Sequence, residues 1–526
     1  MKNVVILFAG EKPGFKYEKK FDSLSGFEKA LEWAASVPGS IKTLVLAGGE
    51  NLPQINKILS QKGMEEAVPG ENWTNGRLAG EIARLCKENS ADYAVFAWAD
   101  WPFLNKSLTE QLVSAHEKYR AEYTFADGFP SGFAPEIIDA GAAAIIAELA
   151  GTSQKAAGDK PASRDALFSI MSGDINSFEI ETVLADKDYR LLRFDFECTS
   201  KAGFVSCLRL FEKARNQKKQ FSSADFDVYE ISDLAEQSPE IQQTLPAYYN
   251  IQISNSYNTK SLYCPYEKLF PDRNMPLLQP ADFKTLVKKI SEFSGQAVVG
   301  LSLFGEPSLH PDFADFALEV LKYKDLKLFV ETDGLSFSEE DIKKIAAASE
   351  NTGRVDFAVR LDAAEEKMYE TVNGRSGSDF KKVMEFISLL QKNFPGHVYP
   401  QFTRMNVNEG QLETFFRFWN EKTSPSAGHF VITKYDSCAG LLSDEKPADL
   451  SPLERNACWH LRRDMHILSD GTVPLCRARI SETAGNALEE PLEKIWEKVQ
   501  KEVLNHINQN YCEKCRACDE YYTFNF

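Results

Sequence analysis

The sequence predicts an α/β protein made of two layered β/α regions followed by a small cysteine-bearing tail. Three observations predict it. Short apolar runs alternate with amphipathic stretches over residues 1–215, the same alternation restarts at Ile251, and five of the ten cysteines fall in the last seventy residues.

In the first region VVILF (4–8), TLVLAG (43–48) and DYAVFAWAD (92–100) read as buried parallel strands ending in turn residues. Between them, FEKALEWAASV and NGRLAGEIARLCKEN space their apolar residues by three and four, as helices with one buried face do. The acidic stretch 221–249 reads as a linker joining a domain at 1–220 to a second at 250–448. In the second domain strands are expected at 251–254, 298–305, 326–332, 355–362, 398–405 and 429–435. FKTLVKKISEF and DFADFALEVLKYK are long enough for crossover helices, and six such units make a partial (β/α)6 barrel. A barrel of this kind places its site at the C-terminal ends of the strands. Residues 449–526 form the tail.

Composition narrows the function. A hydrophobic content of 43% with 12% aromatics supports sizeable cores, and a net charge of −17 argues against nucleic-acid or anionic-membrane surfaces. The opening MKNVVILFAGEKPGF reads as a first strand rather than a signal peptide, and no eighteen apolar residues run together. A cytoplasmic protein is expected, with a small-molecule ligand and neither a membrane nor a nucleic-acid partner.

The cysteines carry the clearest chemistry. Twelve residues separate Cys458 from Gly471, and four separate Gly471 from Cys476. DMHILSDGTVPLC between them reads as a β-hairpin around an Asp-Gly turn. After a helical PLEKIWEKVQKEVLNHI comes CEKCRAC, with Cys512, Cys515 and Cys518. A hairpin and paired CxxC turns gather thiolates from distant points, as zinc or iron–sulfur ligation requires.

CWHLRRDMHILSDGTVPLC, GNALEEPLEKIW and YCEKCRACDEYYTF, in this order, resemble a SPASM domain. The resemblance implies an auxiliary [4Fe–4S] cluster rather than zinc. It draws four ligands from five cysteines: Cys458 and Cys476, with Cys515 and Cys518 favoured and Cys512 as an alternative. Residues 250–450 resemble a radical-SAM barrel. LFGEPSLHPDF would place Gly305, Glu306 and Pro307 near the amino group of S-adenosylmethionine (SAM). VETDG resembles the strand-end TNG motif at Thr332, Asp333 and Gly334, and RLDAAEEKMYETVNGRSGSDF matches the stretch that follows it. The defining CxxxCxxC is reduced to YNTKSLYC, with Tyr257 and Ser261 in place of two cysteines and only Cys264 retained. A serine hydroxyl and a tyrosine with pKa about 10 are poor anionic ligands at neutral pH. One thiolate cannot hold a cluster that leaves an iron open for SAM, so ligand binding without standard radical chemistry is expected.

Residues 1–215 resemble cytidylyltransferases of surface-polysaccharide synthesis, which implies a Rossmann-like, nucleotidyltransferase-type domain. FAWADWPFLNKSLTEQLV puts Asp100 at a metal position, SRDALFSIM carries the matching Arg164, and LRFDFECTSKAGF places Glu197 at a second carboxylate position. Mg²⁺ and a nucleotide would bind there, with Lys12 or Lys16 standing in for the usual loop arginine. Trp98 and Trp101 would stack on a base or pack in the core. The whole layout resembles the spiro-SPASM protein family. Two competing expectations stand beside ligand binding in the barrel: a cytidylyltransferase-like enzyme in residues 1–215, and a non-catalytic, redox-responsive interaction protein.

Overall fold

Asn3–Phe8 carries no charge and all six of its residues are buried, so it can only run between other strands. In the computed structural model this is β1. The hairpin of β2 (Lys20–Phe21) and β3 (Leu24–Ser25) follows, then β4 (Ser40–Ala47), β5 (Val68–Pro69), β6 (Tyr93–Trp98), β7 (Tyr123–Asp127), β8 (Glu136–Asp139) and β9 (Ile180–Leu184). Seven of them make one sheet, ordered β5-β4-β1-β6-β8-β7-β9. β1 pairs in parallel with β4 and β6, while β8 runs antiparallel to β6 and β7. The structure describes all residues except 11–13, 218–220, 223, 272–274, 351 and 524–526, so Lys12 lies outside the described residues.

Helices cover this sheet because their sequences cap and pattern correctly. Gly26–Ala34 begins at a capping box: Ser25 Oγ accepts the Glu28 N–H at 3.3 Å, and Glu28 Oε2 accepts the Ser25 N–H at 2.8 Å. It buries Phe27, Ala30, Leu31 and Trp33. The stretch expected to be a linker is structured instead. Helices Val228–Glu236 and Pro239–Gln242 bury Val228, Ile231, Leu234 and Ile241 in the first core, and this unit closes at Thr244. Acidic residues on the outer face of a short helix had masked its apolar side.

The second unit, Leu245–Phe526, contains β10 (Tyr248–Ile251), β11 (Ala297–Gly300), β12 (Leu326–Thr332), β13 (Val355–Arg360), β14 (Val398–Arg404), β15 (Val431–Lys434), β16 (Asp464–Ile467), β17 (Thr472–Pro474) and β18 (Thr483–Asn486). β10 to β15 form the expected six-stranded parallel half-barrel, interleaved with helices such as Pro280–Ser294 and Phe313–Leu321. The tail was expected to form a hairpin between β16 and β17. The chain does reverse there, with the Leu468 N–H donating to the Thr472 carbonyl at 2.8 Å, but the two strands pair with other partners. All four residues of β16 are buried, and it adds in parallel to the free edge of β10, Asn250 opposite His466. β17 pairs antiparallel with β18. The Asp-Gly turn survives: Gly471 has φ +84°, and an added Cβ would meet Asn486 Oδ1 at 2.5 Å. Among the described residues no helix is long and apolar enough to cross a membrane.

Candidate ligand lumen and cluster centre

Strand side chains alternate faces, and the concave face of the half-barrel takes the polar set. Asn250 from β10, Glu331 from β12, Arg360 from β13, Thr403 from β14 and His466 from β16 line a cavity of about 180 Å³, with aromatic Tyr248, Tyr257, Tyr263 and Phe329. Its charges are largely paired. Arg463 and His460 hold Asp464 at 2.5 and 2.6 Å, Arg477 holds Asp436, and Lys434 reaches Asp519 at 3.0 Å and Glu520. Glu331 is less committed, with Arg360 Nε at 4.0 Å. Asn250 Oδ1 and His466 Nδ1 are buried with no hydrogen-bond partner, and burial pushes the His466 ring down to about 4, leaving it neutral. The lining combines aromatic faces with a few convergent polar groups, the make-up usual in small-molecule sites.

The strand-end residues come together around Glu306, which is fully buried. Its Oε1 accepts from Thr332 Oγ1 at 2.5 Å and Ser308 Oγ at 2.8 Å. Its Oε2 accepts from the Asp333 N–H and Arg360 Nη2, both at 2.9 Å. Gly305 turns the chain with φ +85°, where a Cβ would lie 2.2 Å from the Ser254 carbonyl oxygen. Pro307 opens a short helical turn, and the Gly334 N–H donates to Thr332 Oγ1 at 3.0 Å. Burial and the neighbouring Glu306 carboxylate raise Asp333 to about 7.

In the turn 257–264 the two replacing residues have structural employment. Ser261 Oγ donates to Asn373 Oδ1 at 2.9 Å, while the Tyr257 ring packs edge-on to Tyr266 at 5.4 Å and lies 5.8 Å from the Arg360 guanidinium. Cys264 is the turn's lone thiol, and burial pushes its pKa up. Tyr263 donates to Asp362 Oδ2 at 2.6 Å, and burial raises that carboxyl to about 6.

The tail thiols form a second centre. Cys458 caps the helix Trp459–Arg463, Cys476 follows β17, and Cys512, Cys515 and Cys518 surround the turn Glu513–Ala517. Cys458, Cys515 and Cys518 each feel the charge of Cys476, and burial pushes the bare thiols of Cys458 and Cys515 up to about 12. Backbone N–H groups of Cys515 and Glu520 donate to Cys512 Sγ at 3.5 Å and Cys518 Sγ at 3.4 Å. A tetrahedral zinc site with bonds of about 2.3 Å sets its thiolates roughly 3.8 Å apart. Among the described residues no three thiols lie within 4.8 Å of one another. Sulfur donors brought from three separate segments are a soft donor set that suits an iron–sulfur cluster. Cys438 also feels Cys476 and lines the lumen; its position in sequence, twenty residues before Cys458, gave no sign of this.

In the first unit Asp100 and Glu197 are brought together by Arg164. The guanidinium makes a bidentate pair with Asp100 at 2.8 and 2.5 Å, reaches Glu197 Oε2 at 2.6 Å, and lies 4.2 Å from the Trp98 ring centroid. Thr199 also donates to Asp100. Burial alone would raise Asp100, but Arg164 holds its carboxyl below the usual range. Lys16 is buried, with Nζ donating to the Ala9 carbonyl at 2.7 Å.

Comparison with known proteins places these features. The radical SAM superfamily model matches residues 258–418, and the model of the SPASM iron–sulfur cluster-binding domain matches residues 458–519. The chain belongs to the radical SAM/SPASM superfamily. It is 37% identical over 370 residues to an uncharacterized protein of Treponema pallidum (strain Nichols), a match covering 68% of this chain and 98% of the relative. Among solved structures it is similar to native anSMEcpe with bound AdoMet, at 14% identity over 53% of this chain and 91% of that one, with a TM-score of 0.39. It is also similar to a cytidylyltransferase from Leptospira borgpetersenii, at 14% identity over 46% of this chain and 96% of that one, with a TM-score of 0.38. This member of the radical SAM/SPASM superfamily is thus an iron–sulfur protein with a half-barrel fold and a small SPASM domain.

Proposed function

We propose that this chain is a one-cluster iron–sulfur protein whose half-barrel binds a small polar ligand, SAM being the first candidate, without cleaving it reductively. The observation that carries this reading is the turn 257–264. Three thiolates are needed there, and the turn offers Cys264 beside a serine bonded to Asn373 and a tyrosine packed on Tyr266. In the tail, Cys458 and Cys476 with two of Cys512, Cys515 and Cys518 would hold a [4Fe–4S] cluster, which supplies one-electron chemistry when bound. The residues of the chain do the rest. Gly305, Glu306 and Pro307 with Thr332, Asp333 and Gly334 are buried, and Glu306 holds the lumen-lining Arg360; the lumen itself offers acceptors at Asn250 Oδ1, which has no partner, and at Glu331, 4.0 Å from Arg360 Nε. Iron and sulfide content of anaerobically purified full chain tests the reading. About four irons per chain support one cluster, and about eight overturn it. Release of 5′-deoxyadenosine from SAM under reducing conditions overturns it as well.

A specific observation also bears on the first unit. With Arg164 seated on both Asp100 and Glu197, Mg²⁺ and a nucleotide could bind only by displacing a buried, bidentate pair. We therefore read this unit as a domain that no longer transfers a nucleotidyl group. Stoichiometric, Mg²⁺-dependent uptake of CTP in calorimetry would restore the cytidylyltransferase-like alternative.

A further inference from the structure

Cys512 and Cys515 are both candidates for the same place on the cluster, and their surroundings differ. Cys512 is a cap: its sulfur accepts the Cys515 N–H at the start of the turn Glu513–Ala517. Cys515 is buried, and Arg479 Nη1 donates to its Sγ at 3.5 Å. That guanidinium cannot swing away. Its Nε and Nη2 are tied to Glu482 at 2.9 and 2.5 Å, and Nη1 also reaches Glu502.

On the helix Leu492–Ile507 stands His506, 2% exposed. Its Nδ1 accepts the backbone N–H of Cys458 at 3.3 Å. A neutral imidazole that accepts at Nδ1 carries its proton on Nε2. That Nε2 is buried, has no hydrogen-bond partner, and lies 4.0 Å from a Glu502 oxygen already taken by Arg479. His506, Glu502 and Cys515 each bring a ligand-type atom within 4.8 Å of the others. A buried N–H donor without an acceptor is costly, and Cys515 Sγ lies within 4.8 Å of a ring nitrogen of this histidine.

We infer that Cys515, rather than Cys512, is a cluster ligand, and that Arg479 and His506 are positioning residues that donate N–H bonds to its sulfur. The inference rests on the cluster reading above. Hydrogen bonds to a ligating sulfur favour the more negative, reduced cluster, so the pair raises the reduction potential.

The test is an anaerobic redox titration of the reconstituted full chain followed by EPR. His506→Phe should lower the midpoint enough to shift the oxidised-to-reduced ratio about tenfold at fixed potential, which is 59 mV for a one-electron couple. His506→Gln, which keeps an N–H, should recover part of the shift, and Arg479→Gln should move the midpoint the same way as His506→Phe. Cys515→Ser should lose or change the cluster signal, whereas Cys512→Ser should keep it. Retention in Cys515→Ser with loss in Cys512→Ser would overturn the assignment, as would an iron-loaded wild type whose midpoint ignores both His506→Phe and Arg479→Gln. A wild type without iron and sulfide would instead sink the cluster reading, and this assignment with it.

Discussion

Asp333→Asn probes how the strand-end cluster carries its charge. Asp333 is 1% exposed; its Oδ1 accepts the Leu335 N–H at 3.0 Å and Asn258 Nδ2 at 3.4 Å, and its Oδ2 is buried without a hydrogen-bond partner. Burial, reinforced by Glu306, raises its carboxyl to about 7, whereas an unfolded aspartate titrates near about 3.9. Between these values the folded chain holds a proton that the unfolded chain has lost. Stability from this group is therefore fully present below about pH 4 and falls by about 1.4 kcal/mol per pH unit as pH rises. The loss reaches at most about 4 kcal/mol by pH 7 to 8. Asparagine stays neutral and can keep both Oδ1 bonds, so the variant should match the wild type near pH 4 and exceed it at pH 8. Hydrogen exchange of peptides covering β12, compared between the two proteins at each pH, isolates the second unit from the first. Equal protection ratios at pH 5 and pH 8 would refute the reasoning.

Three further outcomes follow from the geometry. Gly305→Ala forces a Cβ to 2.2 Å from a backbone oxygen at φ +85° and should cost at least about 2 kcal/mol, read as a lower melting temperature; an unchanged melt would contradict the turn. Arg164→Met leaves the buried Asp100 carboxylate without its ion pair and should destabilise the first unit by roughly 3–5 kcal/mol at pH 7. Asp100 is held below its usual range, so that loss should shrink on acidification as the stranded carboxylate protonates, which denaturant unfolding at pH 7 and pH 4.5 can check. Cys476→Ser should abolish iron retention while Cys86→Ser, buried in the first core, leaves it intact, as iron quantification would show.

Much of the fold was legible because buried parallel strands are continuous apolar runs. LKLFVET was read at 326–332 and is β12 over the same residues, and VDFAVRLD loses only two residues at its end. The helices at 228–242 were missed because a short amphipathic turn among acidic residues carries little periodic signal. The pairing of β16 was missed for a different reason: an Asp-Gly turn fixes where a chain reverses, but not which edge is free to take the strand. The lumen has a readable sign in the sequence. Tyr248 and Asn250, Phe329 and Glu331, and Gln401 and Thr403 recur at every second position within otherwise apolar strands, the mark of a polar inner face. Arg479 and His506 had none, since their roles depend on distances between elements far apart in the chain.

The position of β16 decides how the tail should be regarded. A cluster domain tethered by a flexible linker would report on nothing in the barrel. Here β16 is hydrogen-bonded to β10, and Asp464 and His466 on it line the lumen only a few residues from Cys458. Arg477, next to Cys476, reaches across to Asp436 on the barrel side, and Lys434 of β15 is tied to Asp519 and Glu520 beside Cys518. A molecule entering the lumen would therefore meet side chains on the same backbone segments as Cys458 and Cys476. Any shift in charge at the cluster acts on those same ion pairs through a poorly screened interior. On the one-cluster reading proposed above, that continuity would couple the tail thiols to a barrel whose turn 257–264 offers Cys264 alone.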